Sequence, residues 1–195
     1  MPRAKLRTPE LRDRLLRAAI DTLVSDGVAG FTTRRVAESA DTSVPAVYEL
    51  FGDKAGLVRE IFFEGFRRLG GQLEQVPSSG DPRADLMAAI AVFRAFVRAN
   101  PVLVEVMFSR PFADFDPGPA ELAAGATVRT NLTERARLCL HTGLHTGLDD
   151  DATDLGHIII ALAQGLARQE VAGWLGPDQE SIDRRWTLAF ERLLR

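Results

Sequence analysis

Along almost the whole chain, apolar residues recur three and four positions apart, which is the period of an amphipathic helix. Leu11, Leu15, Ala18, Ala19 and Leu23 make the first such stripe. Thr8-Pro9-Glu10 opens it with a capping hydroxyl, a proline in the first turn and an acid at the positive end of the helix dipole, and Gly27 offers the stop. A second helix is predicted from a Thr32 cap to Ala40, with Val36, Ala37 and Ala40 turned inward. A third begins at a Ser43 cap, and a longer one starts near Asp53 and carries Leu57, Ile61 and Phe62 toward Leu73. The segment "VPSSGDP" (76–82) breaks the pattern and is expected to link two subdomains. Beyond it, 86–99 is strongly apolar and helical, Pro101 opens a short apolar segment to Met107, and 109–121 reads as a loop with three prolines. Helices are then expected over about 120–145, 150–174 and 178–194, separated by "GLDDD" and "GPDQ". No alternating strand pattern is sustained, so the predicted fold class is all-α.

The stretch "TSVPAVYELF" (42–51) places a proline inside a predicted helix. With Ser43 as cap, Val44 is the first helical residue and Pro45 the second, where the backbone N–H has no partner within the helix and proline costs nothing. Val47 and Phe51, four apart, anchor one face, and Tyr48 points away from it toward a phosphate. Residues 32–51 therefore read as two helices joined by a tight turn, a helix-turn-helix whose second helix enters the major groove with its N-terminal residues against base edges. On that geometry Ser43, Val44, Pro45 and Ala46 lie at the tip, the apolar ones against thymine methyl groups. Arg34 reaches a guanine or a phosphate, Thr32 and Thr33 suit a phosphate at a helix N-terminus, and Lys54 holds the backbone from the next helix.

Charge sharpens this picture. The net charge is −3, which excludes a protein that coats nucleic acid over its whole surface. Six basic residues nevertheless fall in the first seventeen positions (Arg3, Lys5, Arg7, Arg12, Arg14, Arg17) against Glu10 and Asp13. A basic arm on an acidic body can bind nucleic acid locally. Only Lys5 and Lys54 of the 24 basic residues are lysines. The single cysteine, Cys139, forms no internal disulfide, and there is neither a signal-peptide pattern nor a membrane-length apolar run, so a cytoplasmic protein without membrane contact is expected.

Residues about 10–58 closely resemble the DNA-binding domain of the TetR (tetracycline repressor) family of bacterial regulators. The likeness lies in an ordered set, "AAIDTLVSDGVAGFTTRRVAESA", then "VYELF", then "DKAGL". Asp41 stands where that family usually turns on glycine, Thr42 where an apolar residue is usual, and Leu50 where a histidine often assists phosphate contacts. The resemblance implies an N-terminal three-helix DNA-binding domain, 1–54, and a helical effector-binding and dimerisation domain, 55–195. It also implies a homodimer built from the last two long helices, acting on a palindromic double-stranded DNA operator and answering to a small-molecule effector. The local pattern agrees: Ile159, Leu162 and Leu166 on one helix, and Trp186 and Phe190 on the next, lie in apolar stripes expected at the dimer interface.

Eight of the eleven phenylalanines fall between positions 62 and 115. An effector cavity uses such residues with a few polar ones, which puts forward Phe62, Phe66, Phe93, Met107, His141 and Gln164. His141 and His145 have the spacing of zinc ligands, but no third ligand accompanies them, and they read as ordinary helix or pocket residues. His157 reads as a hydrogen-bonded core residue, Cys139 as a small buried hydrophobe, and Asp149–Asp151 as a helix cap. No phosphate-binding glycine loop, nucleophile elbow or His-Glu-x-x-His is present, so neither an enzyme nor a resident cofactor is expected. A binding module whose helix-turn-helix no longer reads DNA is the other reading, and Glu49, Leu50 and the acidic body favour it.

Overall fold

The computed structural model describes residues 8–109, 111–142 and 149–194. It is all-α: ten helices, and no strand among the described residues. In order they are α1 (Pro9–Gly30), α2 (Thr33–Ser39), α3 (Val44–Phe51), α4 (Lys54–Glu74), α5 (Pro82–Ala99), α6 (Pro101–Phe108), α7 (Pro119–Ala124), α8 (Ala126–Thr142), α9 (Asp149–Val171) and α10 (Gln179–Leu193). The basic residues Arg3, Lys5 and Arg7, His145, and the side chains of His141 and Asp149–Asp151 lie outside what is described.

The chain divides into two compact units, residues 1–67 with 102–124 and residues 68–101 with 125–195. The first is not the N-terminal segment alone. It takes in α1–α3, the first part of α4, and α6 and α7. Its core is Leu15, Ala19, Leu23, Phe31, Val36, Val47, Leu57 and Ile61, all essentially without solvent contact. The Thr8 hydroxyl caps α1 by accepting from Leu11 N–H at 3.3 Å. Gly27 leaves helical geometry with φ +66°, as its place in the sequence suggests, but one further turn carries α1 to Gly30.

The second unit packs α5, α8, α9 and α10 around Leu86, Phe93, Phe96, Leu132, Ile159, Ala167 and Phe190. The apolar pattern over 120–145 is divided at Gly125, whose carbonyl accepts from Arg129 N–H at 3.0 Å as α8 begins. The 76–82 segment is not a linker between the units; it belongs to the second one. Asp85, on α5, holds it by accepting from the Ser79 N–H at 2.9 Å and hydroxyl at 2.6 Å, and Arg135 donates to the Val76 carbonyl at 2.8 Å. These hydrogen bonds from the Ser79 hydroxyl and N–H keep the Asp85 carboxyl below its ordinary range. His157 is not a core residue. Gly156 takes the inward position, where a Cβ would run into Thr133 of α8, and the exposed His157 ring nitrogen Nδ1 lies 2.8 Å from the Thr153 carbonyl.

Three helices of the second unit meet at one ion-pair network. Arg94 of α5 makes a two-pronged contact with Glu170 of α9 at 2.7 and 2.8 Å, and a further contact with Asp183 of α10 at 2.7 Å. Trp186 donates its indole N–H to Glu170 at 2.8 Å, and the Arg94 guanidinium lies 5.0 Å from the Trp186 ring centre.

Candidate nucleic-acid interface

In α2 the Thr32 hydroxyl caps the helix by accepting from Arg35 N–H at 3.3 Å. α2 ends in a tight left-handed turn. Asp41 has φ +49°, its N–H donates to the Glu38 carbonyl at 3.1 Å, and the Thr42 N–H donates to the Ala37 carbonyl at 2.9 Å. That pair of bonds is the Schellman closure, usually made on glycine; aspartate tolerates the left-handed region better than most L-residues. Backbone direction is thereby reversed in two residues, and Ser43 starts α3 in extended geometry, its carbonyl accepting from Ala46 N–H at 2.9 Å.

Pro45 sits in the first turn of α3, as the sequence predicts, and is exposed. Val47 and Phe51 are buried and form the inner face of the helix, which packs against α2. Ala46 is buried as well, so the expectation that it touches DNA is corrected: its methyl completes the inner face that Val47 and Phe51 define. The outward face of α3 consists of Pro45, Tyr48 and Glu49, with Ser43 and Val44 partly exposed at its start. Tyr48 is 47% exposed, and its hydroxyl lies 3.4 Å from the Thr33 hydroxyl, which brings two polar groups from α2 and α3 to one place. Thr32 and Arg34 are exposed, and Arg34 pairs with Glu38 at 2.9 Å one turn along α2. That surface pair is weak, so the guanidinium is readily surrendered to a better acceptor.

Gly52, with φ +80°, closes α3 by donating to the Tyr48 carbonyl at 2.8 Å. Asp53 then caps α4 by accepting from Gly56 N–H at 2.7 Å. Lys54, at the first position of α4, lies over two aromatic rings, its ammonium 5.8 Å from the Phe31 centre and 5.3 Å from the Phe112 centre. Phe112 adjoins the site without any signal in the sequence near Lys54. It comes from the loop after α6, and no local spacing signals a contact so far along the chain. Arg12, one of the basic residues near the N-terminus, pairs with Glu60 at 2.7 Å and covers the Phe51 ring, which braces α1 against α3 and α4.

The other proposed residues are distributed as follows. Phe62, Phe66 and Met107 belong to the first unit and are buried; Phe62 and Phe66 pack ring to ring at 4.9 Å. Phe93 is buried in the second unit, and Gln164 is half-buried there. None of them lines the open cleft of about 270 Å³ that Ile90, Arg94, Arg98, Asp183 and Trp186 border in the second unit. Ile159, Trp186 and Phe190 are buried within the chain's own core rather than presented on an outer face, which corrects their expected place in an interface. The strongest apolar stripe of each helix is used for the chain's own core. Leu162 and Leu166 remain partly exposed. Around them the exposed positions of α9 include Ile158, Ala161 and Gly165. Cys139 is half-buried, donates its thiol to the Pro82 carbonyl at 3.1 Å, and has its thiol pushed up by burial.

Two short helices joined by a left-handed turn, the second presenting a polar and proline-bearing face, define a helix-turn-helix DNA-binding protein. Residues 15–61 match the model of bacterial regulatory proteins of the tetR family, and residues 86–193 match the tetracyclin repressor-like C-terminal domain. The chain belongs to the TetR family of transcriptional regulators, DNA-binding proteins that are not enzymes. An uncharacterized HTH-type transcriptional regulator of Bacillus subtilis (strain 168), YvkB, is 29% identical over 98 residues, 50% of this chain. The match spans about half of that relative, 51% of its length. A protein of unknown function from Rhodococcus sp. RHA1 superposes with a TM-score of 0.80 at 25% identity, covering 98% of this chain and 96% of its own. The TetR family transcriptional regulator PfmR from Thermus thermophilus shares the fold, with a TM-score of 0.68 at 19% identity, covering 93% of this chain and 97% of its own. No single helix among the described residues is long and apolar enough to cross a membrane.

Proposed function

We propose that this regulator is a homodimeric repressor, working in the cytoplasm, that reads a palindromic operator with α3 and lets go when a small, hydrophobic effector binds its helical C-terminal part. The observation that carries the DNA-reading half is the face of α3. Pro45, Tyr48 and Glu49 are exposed above a fully buried Val47, and Tyr48 meets Thr33 of α2. Pro45 and Val44 meet base edges, with Ser43 beside them; Arg34 meets a guanine or a phosphate; Thr32, Thr33, Tyr48 and Lys54 meet phosphates.

A second copy is favoured by the apolar surface on α9 and α10, where Ile158 is 50% and Leu188 49% exposed. Gly165 has open space where a Cβ would stand, so a partner helix can approach α9 closely there. Two copies match a two-fold symmetric operator. The effector acts through its different affinity for the DNA-competent and incompetent conformations. In the second unit, Phe93 and the half-buried Gln164 supply apolar and polar groups of the kind such a ligand needs.

Selection of bound sequences from a random DNA pool at near-physiological salt tests this reading. A palindrome with half-sites at least one helical turn apart is the expected result. No enrichment over background would mean that the helix-turn-helix is a scaffold.

A further inference from the structure

Lys54 opens α4 and is the only lysine among the described residues. Its ammonium stands over two rings at once, Phe31 at the end of α1 and Phe112 from the α6–α7 loop, and those rings pack on each other with centres 5.5 Å apart at 60°. Both rings are buried. The loop that supplies Phe112 is firmly attached to the same unit. Phe115 donates its N–H to the Phe112 carbonyl at 3.2 Å, is itself buried, and packs against Phe62 of α4 at 5.6 Å. Buried Glu121 binds Arg59 of α4 at 2.6 Å and accepts from Gly118 N–H at 2.9 Å. Hydrogen bonding at the Glu121 backbone, followed by Arg59, holds its carboxyl below the ordinary value and hence charged.

We propose that Phe112 is a positioning residue for DNA binding: with Phe31 it fixes the Lys54 ammonium, by its ring face, where α4 meets the phosphate backbone. This rests on Lys54 being the phosphate contact described above. A free lysine has four rotatable bonds and loses their freedom when it grips a phosphate. A cation held over ring faces has already lost much of that freedom, and it keeps N–H donors on the side away from the rings. Residues 111–121 thus form part of the DNA-reading unit, although they lie more than fifty positions beyond Lys54 in the chain. Phe112 contributes no sequence preference, because the contact it supports is to a phosphate.

The test uses the full chain and the variants Phe112→Leu, Phe112→Tyr, Lys54→Met and Phe112→Leu with Lys54→Met. Phe112→Leu keeps an apolar side chain in the loop and removes the ring. Expected is an affinity loss of about three- to tenfold, equal for operator and random DNA, with Phe112→Tyr binding as the parent does. Lys54→Met is expected to lower the salt slope by about one, and Phe112→Leu to add nothing in that background. If Lys54→Met weakens binding while Phe112→Leu does not, or does so additively, the positioning role is overturned and the phosphate contact stands. If Lys54→Met has no effect, the phosphate contact itself fails and the proposal falls with it. A readout without DNA accompanies these. With only Lys5 and Lys54 present, lysine labelled with carbon-13 at Cε alone gives two side-chain signals. The Lys54 signal should lie upfield from ring currents and return toward the free position in Phe112→Leu; an unshifted signal in the parent overturns the proposal by itself.

Discussion

Replacing Arg94 by methionine isolates what the three-helix ion-pair network contributes. The Glu170 side chain is only 6% exposed and that of Arg94 16%, so the pair is largely shielded from water even though Arg94 borders the cleft. Removing the guanidinium leaves a buried carboxylate with the Trp186 indole N–H at 2.8 Å and Arg98 at 3.4 Å as its remaining partners. Breaking a buried pair in this way costs about 3–5 kcal/mol, and the partners left behind put Arg94→Met near the lower end, about 3 kcal/mol. For a chain of this size that lowers Tm by about 6–12 °C. Most of the loss is the weaker compensation of that carboxylate, because Arg98 is more distant and half-exposed, rather than the missing contact. Adding Glu170→Gln removes that charge while retaining an acceptor for Trp186, so the double variant should recover most of the stability. Urea unfolding followed by tryptophan fluorescence at fixed protein concentration measures all four corners of the cycle. A loss below about 1 kcal/mol for Arg94→Met, or a double variant no better than the single, would refute the account of Glu170 as a buried charge that depends on Arg94.

At the turn between α2 and α3, Asp41→Gly should raise stability by about 0.5–1 kcal/mol, because φ +49° is free for glycine. Asp41→Val should lower both the urea midpoint and DNA affinity; equal stability of the two variants would remove the argument. The carboxyls of Asp183 and Asp85 are held low, the first by its hydrogen bond from Arg94 and the second by those from Ser79. Their folded values lie below their unfolded ones, so their stabilisation is fully present above the unfolded carboxylate range near pH 4 and is lost as pH falls through the folded values. Unfolding midpoints should therefore drop on acidification below pH 4, and Asp85→Asn should flatten that limb. In DNA titrations, Tyr48→Ala and Lys54→Ala should weaken binding to every sequence alike, whereas changes at Arg34 or Pro45 should also shift sequence preference. Parallel behaviour of the two pairs would erase the division between phosphate and base contacts.

The reading unit was legible because its signals are local. A cap at Thr32, a left-handed residue at Asp41, a proline at the second position of α3 and an i,i+4 anchor of Val47 and Phe51 all act within one or two turns. The side of α3 that Ala46 takes is not legible in the sequence, because an alanine fits either face and only the packing of Val47 and Phe51 decides which. The stripes of α9 and α10 were seen, but periodicity says that a face is covered and not by what; Ile159, Trp186 and Phe190 are covered by their own chain. The 76–82 segment has linker composition, yet Asp85 and Arg135 supply hydrogen bonds that composition does not report. Phe112 over Lys54 is a long-range contact, and nothing near either residue announces the other.

Helix α3 has eight residues, a length that is barely stable alone in water. Here its first turn is pre-set by Pro45, its end is closed at Gly52, and its inner face is held by Val47 and Phe51. It is therefore a finished object before any duplex arrives, and docking requires no helix formation. The heat-capacity change of association should then reflect the contact surface alone, without the large negative increment that accompanies coupled folding. A rigid reader also passes the burden of any misfit to its partner. Flexible pyrimidine–purine steps, which bend at little expense, can meet it where stiff A-tracts cannot.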